Sequence, residues 1–143
     1  MTPPMTSFAI FVRHAEANDA NVLKSHREFS AQEATQYRGS VLPAGTTDGQ
    51  GFTLVAGVGS TVMGSLVASP HSVGNWSIDF VFVETACRDI GIGDSLVLAC
   101  LANLQHRNAT WVQSSALPGD RAMKNLFERH GLVAQTIVVG KKL

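Results

Sequence analysis

The residues best suited to chemistry are concentrated in Phe80-Val81-Phe82-Val83-Glu84-Thr85-Ala86-Cys87-Arg88-Asp89-Ile90-Gly91-Ile92-Gly93-Asp94-Ser95-Leu96. An apolar run passes into a short loop, and Gly91 and Gly93 open what reads as a helix. Glycines let a backbone approach a ligand closely, and the free N–H groups of a helix start attract anions. Arg88 adds a cation at the loop entrance, so a pyrophosphate is the natural occupant. A mononucleotide P-loop would end in Gly-Lys-Ser/Thr, which is missing here. A dinucleotide fingerprint would carry a third glycine where this chain has Leu96. What remains is R-x-x-G-x-G between a strand and an amphipathic helix, and that motif alone fits a tight, ligand-free turn equally well.

Asp79 lies inside the otherwise apolar run Trp76–Val83. A carboxylate buried there needs a partner or a raised pKa; the alternative is that it faces solvent or anchors a loop. Glu84 closes the same run and reads as a surface residue or a second acid. His14, His26, His71, His106 and His130 are scattered, with no pair at metal-ligand spacing, so no metal is expected. Cys87 and Cys100 form neither a disulfide framework nor a metal site. Cys87 reads as a small buried hydrophobe rather than a reactive thiol. No G-x-S-x-G elbow exists to support a serine hydrolase.

The elements that must position these residues follow from periodicity and punctuation. Ser7–His14 reads as a first strand. Asp19 can cap a following helix, and Ser30-Ala31-Gln32-Glu33 has the capping-box form that would start a second short one. Gly39–Gly51, rich in Gly, Pro, Thr and Asp, reads as a loop that could wall a substrate site. Phe52–Val58 and Thr61–Ala68 form a hairpin about Gly59-Ser60. Trp76–Val83 is a more continuously apolar and hence central strand. Beyond the loop, Leu96, Val97, Cys100, Leu101 and Leu104 share one helix face. Ala109–Ser115 reads as a strand. Pro118 suits the first turn of a helix ending at Gly131, and Leu132–Val139 reads as a last strand. The sum is a mixed α/β sheet with helices on its faces.

Composition bounds the partners. The 143 residues match one ordinary domain, 1–143. An apolar fraction of 45% and a charged fraction of 15% suit a folded core. Eleven Lys and Arg balance eleven Asp and Glu, which leaves no broad cationic face for nucleic acid. No apolar run approaches the roughly 20 residues that span a bilayer. The start lacks a charged n-region and an apolar h-region, so a cytoplasmic protein with reduced thiols is expected.

At this point the chain resembles the GNAT superfamily of acyl-CoA-dependent N-acyltransferases. Arg88-x-x-Gly91-x-Gly93 is similar to that family's coenzyme pyrophosphate loop. Phe52-Thr53-Leu54-Val55-Ala56 through Val62-Met63-Gly64 resembles its second and third strands, and Ala116–Leu132 its last helix and the strand after it. The resemblance implies a mostly antiparallel central sheet of six to seven strands, splayed between strands 4 and 5 and flanked by about four helices. It implies acetyl-CoA as co-substrate, held by backbone groups of Val81, Phe82 and Val83 and by Arg88, Asp89, Ile90, Gly91, Ile92, Gly93, Asp94 and Ser95. Asp120 stands where the family often has a coenzyme-contacting Asn; Asn125 is the substitute, or a solvated helix residue. Asp79 matches the place of the family's strand-four acid, the base that would deprotonate an amine acceptor, with Glu84 second. Ser114 and Ser115 would face the cleft. A backbone N–H of Val81 or Phe82 would hold the oxyanion.

Two departures stand out. Phe127 occupies the usual place of a proton-donating Tyr, and Asp89 and Ile90 replace a Gly and a basic residue. The implied partners are an acyl-CoA, an amine-bearing acceptor (small molecule, peptide or protein lysine) and, since dimers are common in that family, a second copy of the chain. The rival expectation is a catalytically silent CoA-binding sensor or interaction module of the same fold.

Overall fold

The computed structural model describes residues 9–40 and 50–143. Most of the expected loop Gly39–Gly51, and the start of the first expected strand, lie outside them. Among the described residues the elements are β1 (Ile10–His14), α1 (Ala20–Ala34), β2 (Phe52–Val58), β3 (Thr61–Ser72), β4 (Asn75–Val83), α2 (Ile92–His106), β5 (Trp111–Gln113) and α3 (Arg121–Arg129). Strands β1 to β4 pair antiparallel in sequence order, and β5 joins β4 in parallel. The sheet is thus mixed and mostly antiparallel as expected, with five strands rather than six to seven and three α-helices rather than about four.

Each shortfall has a physical cause. Residues 20–34 contain no Gly or Pro to stop a helix, so Ser30 and Glu33 sit inside α1 and open no second helix. Pro118 precedes the last helix; Asp120 caps it instead, accepting from the Met123 N–H at 3.1 Å. Leu132–Val139 joins no ladder. Strand β5, only three residues long, offers it too little edge, and Val133, Ile137, Val138 and Val139 are left exposed.

One face of the sheet carries α2. Leu54, Leu66, Ala68, Ile78 and Val81 meet Ile92, Leu96, Val97, Cys100 and Leu104 there, with Leu126 and Phe127 of α3 closing the edge. Cys100 is fully buried, and desolvation pushes its thiol up to about 12, so it is inert. The other face carries α1, which inserts His26 against Phe82 and Ser65. The helix faces follow from strand alternation: Gly64, Leu66 and Ala68 of β3 point to α2, and Ser65 points to α1. Among the described residues no helix is long and apolar enough to cross a membrane.

Candidate active site

The site begins with an irregularity in β4. Val67 of β3 faces Phe80 and Ala68 faces Ile78, which leaves Asp79 as the extra residue of a bulge. Bulges re-aim side chains, and this one places a half-buried carboxylate on the cavity wall. Both carboxylate oxygens of Asp79 accept hydrogen bonds, one from the Ser69 hydroxyl and one from the Ser77 hydroxyl. The Ser77 hydroxyl in turn lies 2.6 Å from Nε2 of His71. Ser77 of the same strand and Ser69 of β3 therefore supply the partners that a buried carboxylate requires.

Next to the bulge the sheet opens. Strand β5 pairs with β4 only from Asn75 to Ser77. Beyond that the Ser114 hydroxyl donates to the Ile78 carbonyl at 2.8 Å, and Arg88 Nε donates to the Val83 carbonyl at 2.8 Å. Alternation puts the backbone groups of Val81 on the same open edge. A cavity of about 540 Å³ fills the gap. Asp79–Val83 form one wall, Ser114–Leu117 the other, and Met123, Leu126 and Phe127 of α3 close one side.

The loop after β4 forms the end of this cavity. Asp89 and Gly91 both take positive φ, 69° and 96°, and Gly91 is the N-cap of α2 without any side-chain cap bond. The first helical bond is made by Ser95 N–H to the Gly91 carbonyl at 3.0 Å. The N–H groups of Ile92, Gly93 and Asp94 come before it and have no partner within the helix. A cradle of backbone donors at a helix start suits an anion, and Gly91 and Gly93 put no side chain in the way. The residues present therefore fit a pyrophosphate. Arg88 contributes differently from the expected lone counter-charge. Its guanidinium makes a two-pronged pair with Glu33 of α1 at 2.8 and 2.6 Å and lies over the Phe82 ring. The Glu33 bond raises its pKa further above the ordinary arginine value.

Asp94 ties the start of α2 to the end of α3. It accepts from Arg129 at 3.1 and 3.2 Å and from His130 at 2.8 Å. Partial burial opposes its ionised form, but the bonds from Arg129 and His130 outweigh that and hold its pKa below the usual carboxylate value. A lowered folded pKa stabilises the fold above the unfolded value near 3.8; that contribution disappears as pH falls through the folded pKa. The Asp94 and Arg129 side chains are about half exposed, so Asp94→Asn should cost under about 1 kcal/mol at pH 7. Urea titrations should show that difference at pH 7 and none near pH 2; an equal deficit at both would refute the ionic account.

Of the residues singled out in the sequence, Asp79, Val81, Phe82, Val83, Arg88, Asp89, Gly91, Ile92, Gly93, Asp94 and Asp120 line this one cavity. Ser114 and Ser115 line it too. Ile90, Ser95 and Asn125 do not, and Asn125 sits exposed on α3. Asp120 spends its carboxylate on capping α3. Glu84 lies apart from Asp79, on a separate concavity under α1, where His26 Nε2 bonds it at 2.9 Å and His26 Nδ1 meets the Ser65 hydroxyl at 2.8 Å. Tyr37 and Glu33 join the main cavity by tertiary contact alone, and no sequence pattern marks either of them. The strand alternation that puts Leu66 and Ala68 in the core also puts Ser69 on the opposite face, beside Asp79; that signal was readable.

The profile of the acetyltransferase (GNAT) family matches residues 13–132. Solved structures share the fold. Aminoglycoside N-acetyltransferase AAC(6')-Iy in complex with CoA superposes with a TM-score of 0.72 at 11% identity, over 99% of each chain. An aminoglycoside acetyltransferase from an uncultured soil metagenomic sample, in complex with trehalose, gives 0.70 at 14%, over 94% of this chain and 95% of that one. A ribosomal-protein-alanine N-acetyltransferase from Brucella melitensis biovar Abortus 2308 gives 0.67 at 18%, over 94% of this chain and all of the other. No curated protein sequence matches at a significant level.

Proposed function

The chain belongs to the acetyltransferase (GNAT) family, and from that premise we propose that it transfers an acetyl or related acyl group from acyl-CoA to a primary amine. The observation that carries this reading is the single cavity between β4 and β5, which joins an uncapped helix start at one end to the Asp79 carboxylate. The coenzyme's pyrophosphate would lie on the N–H groups of Ile92 to Asp94, and its pantetheine arm along the open edge at Val81 and Val83. Both substrates are bound together. Free alkylamines are protonated at neutral pH, so Asp79 takes a proton from the ammonium group. The amine then attacks the thioester carbonyl; the C–N bond forms, the C–S bond breaks, and sulfur leaves with the second nitrogen-bound proton. A thiol pKa around 8.5 makes sulfur a tolerable leaving group without a tyrosine, which matters because Phe127 lines the cavity and has no proton to give.

Phe127 also favours a second reading, a CoA-binding module without turnover. Calorimetric titration with acetyl-CoA tests what both share. Saturable binding is expected in the wild-type protein and none in Gly91→Trp, since φ at 96° disfavours any residue with a Cβ and an indole there would occupy the space of the bound anion. Equal binding by the two proteins would remove the loop from the site. An acceptor screen then separates enzyme from module.

The exposed run Val133–Val139 is the surface on which we place a homodimer contact. Sedimentation velocity should give a dimer for the wild-type chain and a monomer for Ile137→Asp; a wild-type monomer at high micromolar concentration would remove that contact.

A further inference from the structure

Asp79 has a second connection that leads away from the cavity. Its carboxylate accepts from the Ser77 hydroxyl, and that hydroxyl meets Nε2 of His71 at 2.6 Å. Ser77 is buried, 7% exposed, while His71 is exposed near the end of β3 and lines neither cavity. The three groups run from the cleft wall, through buried Ser77, to an exposed histidine outside the cavity.

We propose that Ser77 and His71 form a proton exit from Asp79, resting on the reading of Asp79 as the base. With acyl-CoA and acceptor both in the cleft, its mouth is filled and water has poor access to Asp79 from that side. The proton from the substrate ammonium goes to Asp79. Once protonated, Asp79 donates to the Ser77 oxygen, which frees the Ser77 hydroxyl to turn toward Nε2 of His71 in its Nδ1–H tautomer. Asp79 then passes its proton to Ser77 while Ser77 gives its own to Nε2. His71 then releases a proton to water, so Asp79 returns to carboxylate, Ser77 to hydroxyl and His71 to neutral imidazole. A serine hydroxyl both accepts and donates, and imidazole carries the proton on either nitrogen, so each link can be reset. The Ser69 hydroxyl, on the other carboxylate oxygen, is a positioning contact that keeps Asp79 aimed along this path.

Thiol release from acetyl-CoA tests the relay, with n-butylamine, sisomicin and an alanine-terminated peptide as acceptor probes. His71→Ala should lower kcat roughly tenfold with the KM for acetyl-CoA unchanged, and added imidazole should restore most of it. Ser77→Ala should fall as far without imidazole rescue, since its break lies upstream, and Ser77→Thr should keep turnover. Asp79→Asn should lose far more and recover with neither. Wild-type turnover in His71→Ala, beside a dead Asp79→Asn, overturns the relay and leaves the base in place. Full turnover in Asp79→Asn overturns the base and the relay together. No thiol release by the wild-type protein with any of the three amines overturns the transfer reading on which both rest.

Discussion

Asp79→Asn should reduce turnover by on the order of 10²–10⁴-fold, the range that a positioned general base contributes, while leaving acetyl-CoA affinity within about twofold. The amide keeps the shape: its one oxygen can accept from one of the two hydroxyls while its NH2 donates to the oxygen of the other, so the bulge should persist. What it lacks is a lone pair basic enough to hold the ammonium proton. Asp79 lies at the cavity wall beside Phe80 and Val81, away from the helix start that would carry the pyrophosphate, so coenzyme binding has no reason to change. The two effects are read separately, turnover by thiol release and affinity by calorimetry. A variant with full kcat would show that Asp79 is a structural anchor for the bulge, held by Ser69 and Ser77 for its own sake.

Gly64→Val should impair folding and the site together. A Cβ built on Gly64 would sit 2.8 Å from the Phe82 carbonyl oxygen and 2.9 Å from Ile92 Cγ2, with Leu96 Cδ1 at 3.3 Å. The first contact is backbone and cannot rotate away. The second is the opening residue of α2, 1% exposed, so the helix start must lift off the sheet. Overpacking of this kind costs about 1–3 kcal/mol. The same movement displaces the N–H groups of Ile92 to Asp94, and a misplacement near 1 Å can cost roughly 10²-fold in turnover. Gly140→Val is the control, because nothing lies within 4 Å of a Cβ there. Denaturant titration and thiol-release assays should show both losses in Gly64→Val and neither in Gly140→Val. Unchanged stability in Gly64→Val would mean that α2 is not seated by close approach to β3.

These two residues also show how far local patterns reach. Asp79 was conspicuous as a carboxylate in an apolar strand, and that anomaly pointed to the site. Its surroundings were less conspicuous: alternation can mark the face of Ser69, but only the β3–β4 register brings Ser69 and Ser77 onto its carboxylate and His71 onto Ser77. Arg88 was legible as a cation beside a glycine loop, but its pairing with Glu33 spans 55 positions, and no local spacing encodes such a contact.

What the sequence determined by itself was every feature that depends on near neighbours. Periodicity marked the buried face of α2, two glycines and Arg88 marked the anion loop, and Gly59-Ser60 marked the hairpin of β2 and β3. Order and spacing then carried the family resemblance, whose splayed sheet the structure bears out. What tertiary structure alone decided was everything that depends on a partner far along the chain. It merged two expected helices into α1, since no breaker separates them and the sheet face accommodates a continuous helix. It denied Leu132–Val139 a ladder, since a β-forming run becomes a strand only where an edge is free to receive it. It separated Glu84 from Asp79, since Glu84 lies five positions on, past the end of β4, where it bonds His26 of α1. Local propensity is a property of residues, but a site is made by their meeting, and only the folded register decides which residues meet.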